Sequence, residues 1–205
     1  MSEFDEKAAD WDANPDHFER AAKLADYMRK HVDFSKVTKA LEYGSGTGLL
    51  SFALKDCLPD ITLMDSSEKM TEAAIEKVKT QKISNLHPIQ YDFLEQKLPN
   101  DRYDLIFILQ TLHHIKDTGK FFEKSATLLN TKGSLVIIDL VTEDGTFHDD
   151  PFDGHKGFDR GKMEELLTTF GLQPKHYGIC HTIEKEMEDG TIKKYPLFMM
   201  VGTKQ

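Results

Sequence analysis

The sequence predicts an α/β fold: a doubly wound, mostly parallel sheet of seven strands, helices on both faces, and a C-terminal antiparallel hairpin. Three observations carry this reading. Short apolar runs alternate with helix-period segments through the first two thirds of the chain. Two of those runs, Leu105-Ile106-Phe107-Ile108-Leu109 and Leu135-Val136-Ile137-Ile138, are continuous, as strands buried on both faces require. Near the end the alternation stops, and two strand-like runs flank Asp189-Gly190, a hairpin turn signal.

Taken in order, Ala21, Ala22, Leu24, Ala25 and Met28 recur at helical spacing and predict a helix over residues 18–32. Residues 37–43 read as a strand, 49–58 as a helix, 61–64 as a strand and 68–79 as a helix. Strands follow at 86–91 and 103–109, then a helix at 119–129 and a strand at 134–140. A helix at 161–170 precedes the last strands, near 175–183 and 195–202. No repeat or composition break divides the chain, so residues 1–205 are expected to form one domain.

Composition narrows the functions. The formal net charge is −9 and no Lys/Arg cluster stands out, whereas proteins that track phosphate backbones usually carry a basic patch. A nucleic-acid partner is therefore disfavoured. The sequence has no apolar run long enough to span a membrane and no signal-peptide pattern. Cys57 and Cys180 form no metal or redox motif and read as small core residues. A reducing, cytoplasmic location is the expectation; oligomeric state is unreadable.

The most informative stretch is Leu41-Glu42-Tyr43-Gly44-Ser45-Gly46-Thr47-Gly48, between a predicted strand and helix. Glycines at such a turn let the backbone bend tightly and let a ligand approach, and the following helix offers free N–H groups to an anion. A nucleotide-like cofactor is implied. The dinucleotide fingerprint needs a glycine where Leu49 stands. Glu42, two residues before Gly44, would repel a pyrophosphate but attract a cationic amine or sulfonium. S-adenosylmethionine carries both cations and no phosphate. The stretch resembles motif I of the class I S-adenosylmethionine-dependent methyltransferases, whose Rossmann-like fold also ends in an antiparallel hairpin. The resemblance runs over nearly the whole chain, closest to the quinone and metabolite (small-molecule) branch.

Ligands of such sheets sit at the carboxyl ends of the strands. The second strand ends at Asp65, an acid suited to ribose hydroxyls, or alternatively a helix N-terminal acid. Ser66 follows it, and the resemblance implies that Met70 packs near adenine; a core role is the alternative. It also implies that Asp92 accepts from the adenine amine and Phe93 walls the ring, with a turn-forming Asp before a buried Phe as the alternative. With Tyr43, Gly44, Ser45, Gly46, Gly48 and Gln110, these complete the expected cofactor set. Trp11 joins it through an N-terminal segment, Phe4 to Asp12, that resembles a closing lid; residues 1–35 are the expected helical lid.

The fourth strand runs into Gln110-Thr111-Leu112-His113-His114-Ile115. The Asn/Asp-Pro-Pro-aromatic pattern of enzymes that methylate base or glutamine amino groups is absent, which favours a small-molecule acceptor. Methyl transfer is an in-line displacement whose main requirement is alignment; a base is needed only for a protonated nucleophile. His113 is the first candidate base and pocket residue, with a hydrogen-bonded capping role at the strand end as the alternative. Residues 142–160, with Phe147, His148, Asp149, Asp150, Phe152, Asp153, His155, Phe158 and Asp159, read as a substrate loop. His155 is the second candidate. The spacing of the loop's histidines and acids matches no standard metal motif, so no metal is expected. A non-catalytic adenosylmethionine-binding module and a nicotinamide-dependent oxidoreductase stand as the alternative functions.

Overall fold

The computed structural model of the chain describes residues 5, 11–148 and 152–205. Most of the expected lid segment (Phe4 and residues 6–10), together with Asp149 and Asp150 of the expected loop, lies outside the described residues.

Helix α1 (Pro15–His31) begins earlier than the apolar spacing suggests. The Asn14 side chain accepts from the Asp16 N–H, and Pro15 occupies the first turn, where its missing N–H is no loss. Strand β1 (Ala40–Tyr43) is shorter than expected, because the Thr38 and Lys39 N–H groups donate to the Asp104 carboxylate instead of a neighbouring strand. There follow α2 (Leu49–Leu54), β2 (Ile61–Asp65), α3 (Glu68–Thr80), β3 (Leu86–Gln90) and β4 (Tyr103–Leu109). After β4 come a 3₁₀ turn (Leu112–His114), α4 (Thr118–Leu128), β5 (Leu129–Leu140), α5 (Arg160–Thr169), β6 (Leu172–Glu186) and β7 (Ile192–Lys204). Strand β5 starts early: Leu129 pairs with Tyr103 before the register shifts, with Lys132 at φ +66°.

The seven strands form one sheet in the order β3-β2-β1-β4-β5-β7-β6. Strands β1 to β5 are mutually parallel, and β7 runs antiparallel between β5 and β6. Asp189 and Gly190 (φ +78°) make the β6–β7 turn, as expected.

Strict alternation splits the core between the two faces. Leu41, Ile106, Ile108, Leu135 and Ile137 pack with Phe121, Phe122, Met163 and Leu167 of α4 and α5. Ala40, Leu105, Phe107, Val136 and Ile138 pack with Leu24, Ala25, Met28, Leu50, Leu54 and Ala74 of α1, α2 and α3. The helices thus cover both faces, which forces the ligand site to the sheet's end. The cysteines depart from expectation: both are half-buried, and burial pushes the Cys180 thiol up to about 12. Among the described residues no helix is long and apolar enough to cross a membrane.

Candidate functional site

The strand order reverses between β1 and β4, the point where doubly wound sheets bind ligands. A cleft of about 1030 Å³ opens there, lined by Gly44, Gly46, Asp65, Asp92 and the β4 exit. That volume lies at the upper end of the range for ligand pockets, about 1,000 Å³.

The glycine turn shapes the near wall. A Cβ on Gly46 would meet only the Met70 sulfur, at 3.9 Å within a 4 Å reach, so this backbone is open to a ligand. A Cβ on Gly48 would fall 2.4 Å from a Leu63 methyl. Gly48 therefore lets the loop pack on β2 and does not line the cleft, a correction to its expected contact.

Three acids stand at successive strand ends. Glu42 is 2 % exposed and accepts from the Ser51 N–H at 3.2 Å and from the Ser51 hydroxyl. Burial pushes its pKa up to about 8, so at neutral pH it is mostly protonated. Asp65 accepts from the Gly46 N–H at 2.7 Å and the Ser67 N–H at 2.8 Å, and burial raises its carboxyl above the usual range. Asp92 accepts from the Tyr43 hydroxyl at 2.6 Å and the Leu94 N–H at 2.7 Å. Burial and then that Asp92 contact hold the Tyr43 phenol well above its ordinary range. A carboxylate has about four acceptor positions, which leaves Asp65 and Asp92 capacity for a ligand.

Tyr43, Ser45, Ser66, Met70, Trp11 and Gln110 also line the cleft. Gln110 sits at φ +45°, a conformation that costs a non-glycine residue about 1–3 kcal/mol and concentrates at functional sites. Phe93 does not line the cleft. It is fully buried, with its ring centroid 4.3 Å from Tyr43 and 6.0 Å from Phe121, and Leu94 takes the wall position. The next residue along a tight turn points outward when its neighbour points in. Asp12, just before α1, is tied to the glycine turn and to α3: it accepts from the Thr47 hydroxyl at 2.6 Å and pairs with Lys77 at 2.6 Å.

Beyond β4 the cleft turns polar and aromatic. His113 is buried and donates Nδ1–H to Asp139 at 2.6 Å; Asp139 also accepts from the His113 and Leu140 N–H groups. This fixes the tautomer and leaves the Nε2 lone pair as the ring's acceptor. Glu143 accepts from the Gly145, Thr146 and Phe147 N–H groups, and so shapes the turn that carries Phe147 and His148 to the cleft. One ring nitrogen each of His113, His114 and His148 lies within 4.8 Å of the others. His155 is elsewhere. Its backbone N–H donates to the His113 carbonyl at 2.8 Å and its Nε2 to the Ile115 carbonyl at 3.0 Å. It braces the loop and does not line the cleft, contrary to its expected substrate contact.

Two residues escaped the sequence reading. Asp139 had a signal, a lone acid closing a buried apolar strand. Arg20 had none, because on α1 it reads as a solvent-face residue. It nevertheless lines the cleft, where burial lowers its pKa and Asp16 is the charge that opposes the shift.

Residues 34–188 match the family model described as a methyltransferase domain. A malonyl-[acyl-carrier protein] O-methyltransferase of Ilyobacter polytropus is 35% identical over 115 residues, covering 55% of this chain and 42% of that protein. An uncharacterized methyltransferase of Schizosaccharomyces pombe is 28% identical over 115 residues, covering 53% and 40%. The chain thus spans less than half the length of the first curated relatives it matches. Among solved structures, a putative methyltransferase in complex with the Haloferax volcanii Trm112 methyltransferase activator superposes with a TM-score of 0.79. It covers 99% of this chain and 98% of that one at 16% identity, a likeness of fold.

Proposed function

The chain belongs to the methyltransferase-domain family, and we propose that it uses S-adenosylmethionine to methylate a small-molecule acceptor by in-line displacement. The observation that carries this reading is the set of three acids around an open glycine turn, in a cleft of about 1030 Å³. The residues fit the donor. Asp65 suits the ribose hydroxyls, Asp92 the adenine amine, with Leu94 and Met70 against the ring. Glu42 suits the ammonium, and Arg20 the carboxylate, through charge-assisted hydrogen bonds. Trp11, its ring 4.6 Å from that of His17, lines the cleft and suits the role of a cover over the donor. The same acids oppose a pyrophosphate, which counts against the nicotinamide alternative.

When bound, the donor supplies an electrophilic methyl group on a sulfonium. The chain's own part is alignment, exclusion of water and handling of one proton. Phe147, Phe152 and the buried His113 ring make a dry wall for the acceptor. His113 Nε2, set by Asp139, accepts the proton of an acceptor hydroxyl or amine. The presence of such a group beside the donor cleft favours an enzyme over a non-catalytic binding module. The test is a screen of metabolite pools for release of S-adenosylhomocysteine, with His113→Ala as control. Release by the wild type and its loss in the variant is the expected result; equal release by both removes His113 from the mechanism.

A further inference from the structure

We propose that His113, His114 and His148 form a binding site for a divalent transition-metal ion at the acceptor end of the cleft. The fold brings together residues 35 positions apart: two from the turn after β4, one from the loop after β5. One ring nitrogen of each lies within 4.8 Å of the others. Tetrahedral coordination with Zn–N bonds of about 2.0–2.1 Å puts ligand nitrogens roughly 3.3 Å apart, so a bound ion would draw the three rings closer than their present 4.8 Å limit. Imidazole suits zinc, copper, iron and nickel. Three protein ligands with an open position are the pattern of reactive rather than purely structural zinc sites.

The surroundings match a metal ligand's needs. The Nδ1–H of His113 is held by the buried Asp139 carboxylate at 2.6 Å, the outer-shell partner that orients a ligating imidazole and raises its basicity. His148 is carried on the turn that Glu143 shapes, and its ring stacks on Phe152 with centroids 3.8 Å apart. All three histidines line the cleft, so the ion's open position faces the acceptor.

The role of the ion rests on the proposed methyl transfer. An acceptor hydroxyl bound at the open position loses its proton to water near neutral pH. The oxyanion then bonds to the methyl carbon as the carbon–sulfur bond breaks, and that electron pair stays on sulfur. The ion keeps its oxidation state. In this arrangement the His113 Nε2 lone pair binds the ion instead of the acceptor's proton.

The test uses the full chain, stripped with a chelator and titrated with Co²⁺ while its visible d–d absorption is followed. One equivalent with tetrahedral-type bands is expected, displaced by Zn²⁺. Asp139→Asn should weaken binding about 10–100-fold, His114→Ala and His148→Ala should abolish the bands, and His87→Ala, at an exposed strand position, should leave them unchanged. Bands that survive in His148→Ala, or no stoichiometric binding by the wild type, overturn the proposal. Titration of the stripped protein with S-adenosylmethionine separates the two readings: binding of the donor without Co²⁺ bands sinks the metal site alone, and loss of donor binding sinks the methyltransferase reading. Turnover discriminates further, because a purely basic His113 predicts activity retained in His114→Ala and His148→Ala.

Discussion

Glu42 illustrates how one buried side chain couples binding to pH. Its folded pKa of about 8 lies above the ordinary value of 4.5 because burial disfavours the charged form. Between those two values the unfolded chain has released the proton and the folded chain still holds it. Stability therefore falls as pH rises across that window and levels off above it. Unfolding curves of Glu42→Gln should lack this slope, and at pH 8 the variant should be at least as stable as the wild type. Its affinity for S-adenosylmethionine should fall about tenfold or more, since the ammonium loses its counter-charge. In the wild type that affinity should rise with pH toward 8, with proton release on binding, measured by calorimetry in buffers of different ionisation enthalpy. Asp139 acts through His113 and is a positioning residue. Asp139→Ala should lower kcat about 100-fold with little change in acceptor KM, and adding His113→Ala should cost little more.

At the scale of elements, the loop after β5 and the segment before α1 are the two parts that complete the cleft. Glu143 holds three consecutive N–H groups of the Phe147 turn. Glu143→Ala should loosen that turn, raising acceptor KM several-fold while S-adenosylmethionine affinity stays within about twofold. Asp12, just before α1, is tied to Thr47 and Lys77. Donor binding should change Trp11 fluorescence in the wild type, and Asp12→Ala should reduce that change; an unaltered signal would remove Trp11 from the cover. These elements also mark the limit of sequence reading. Strands such as Tyr103–Leu109 were legible because burial on both faces writes a continuous apolar run. The long edge strand β6 was legible only in its middle, residues 175–183 of Leu172–Glu186, since its exposed ends mix polar and apolar residues without a clear period. The place of Glu42, Asp65 and Asp92 at the cleft was legible because strand ends are positions one can count to. Phe93, Gly48 and His155 do not line the cleft where the sequence placed them, because spacing alone does not say which way a turn faces.

For the whole molecule, the sheet order brings the ends of β1, β2 and β4 to one edge while two separate cores hold the sheet between helices. Core substitutions should therefore act on stability alone. Phe107→Ala, fully buried and away from the cleft, should cost about 3–5 kcal/mol and leave donor affinity in the folded fraction unchanged. Ligand that binds only the folded chain should stabilise it as RT ln(1 + [L]/Kd), so its melting temperature should keep rising with ligand concentration after the site is saturated. The central claim is that this cleft holds S-adenosylmethionine and not a dinucleotide. Calorimetric titration of the full chain with S-adenosylmethionine, S-adenosylhomocysteine and NAD tests it most directly. One-to-one binding of the first two, lost in Asp65→Ala, with no heat from NAD is the expected result. Saturable NAD binding, or no heat from S-adenosylmethionine, would contradict it.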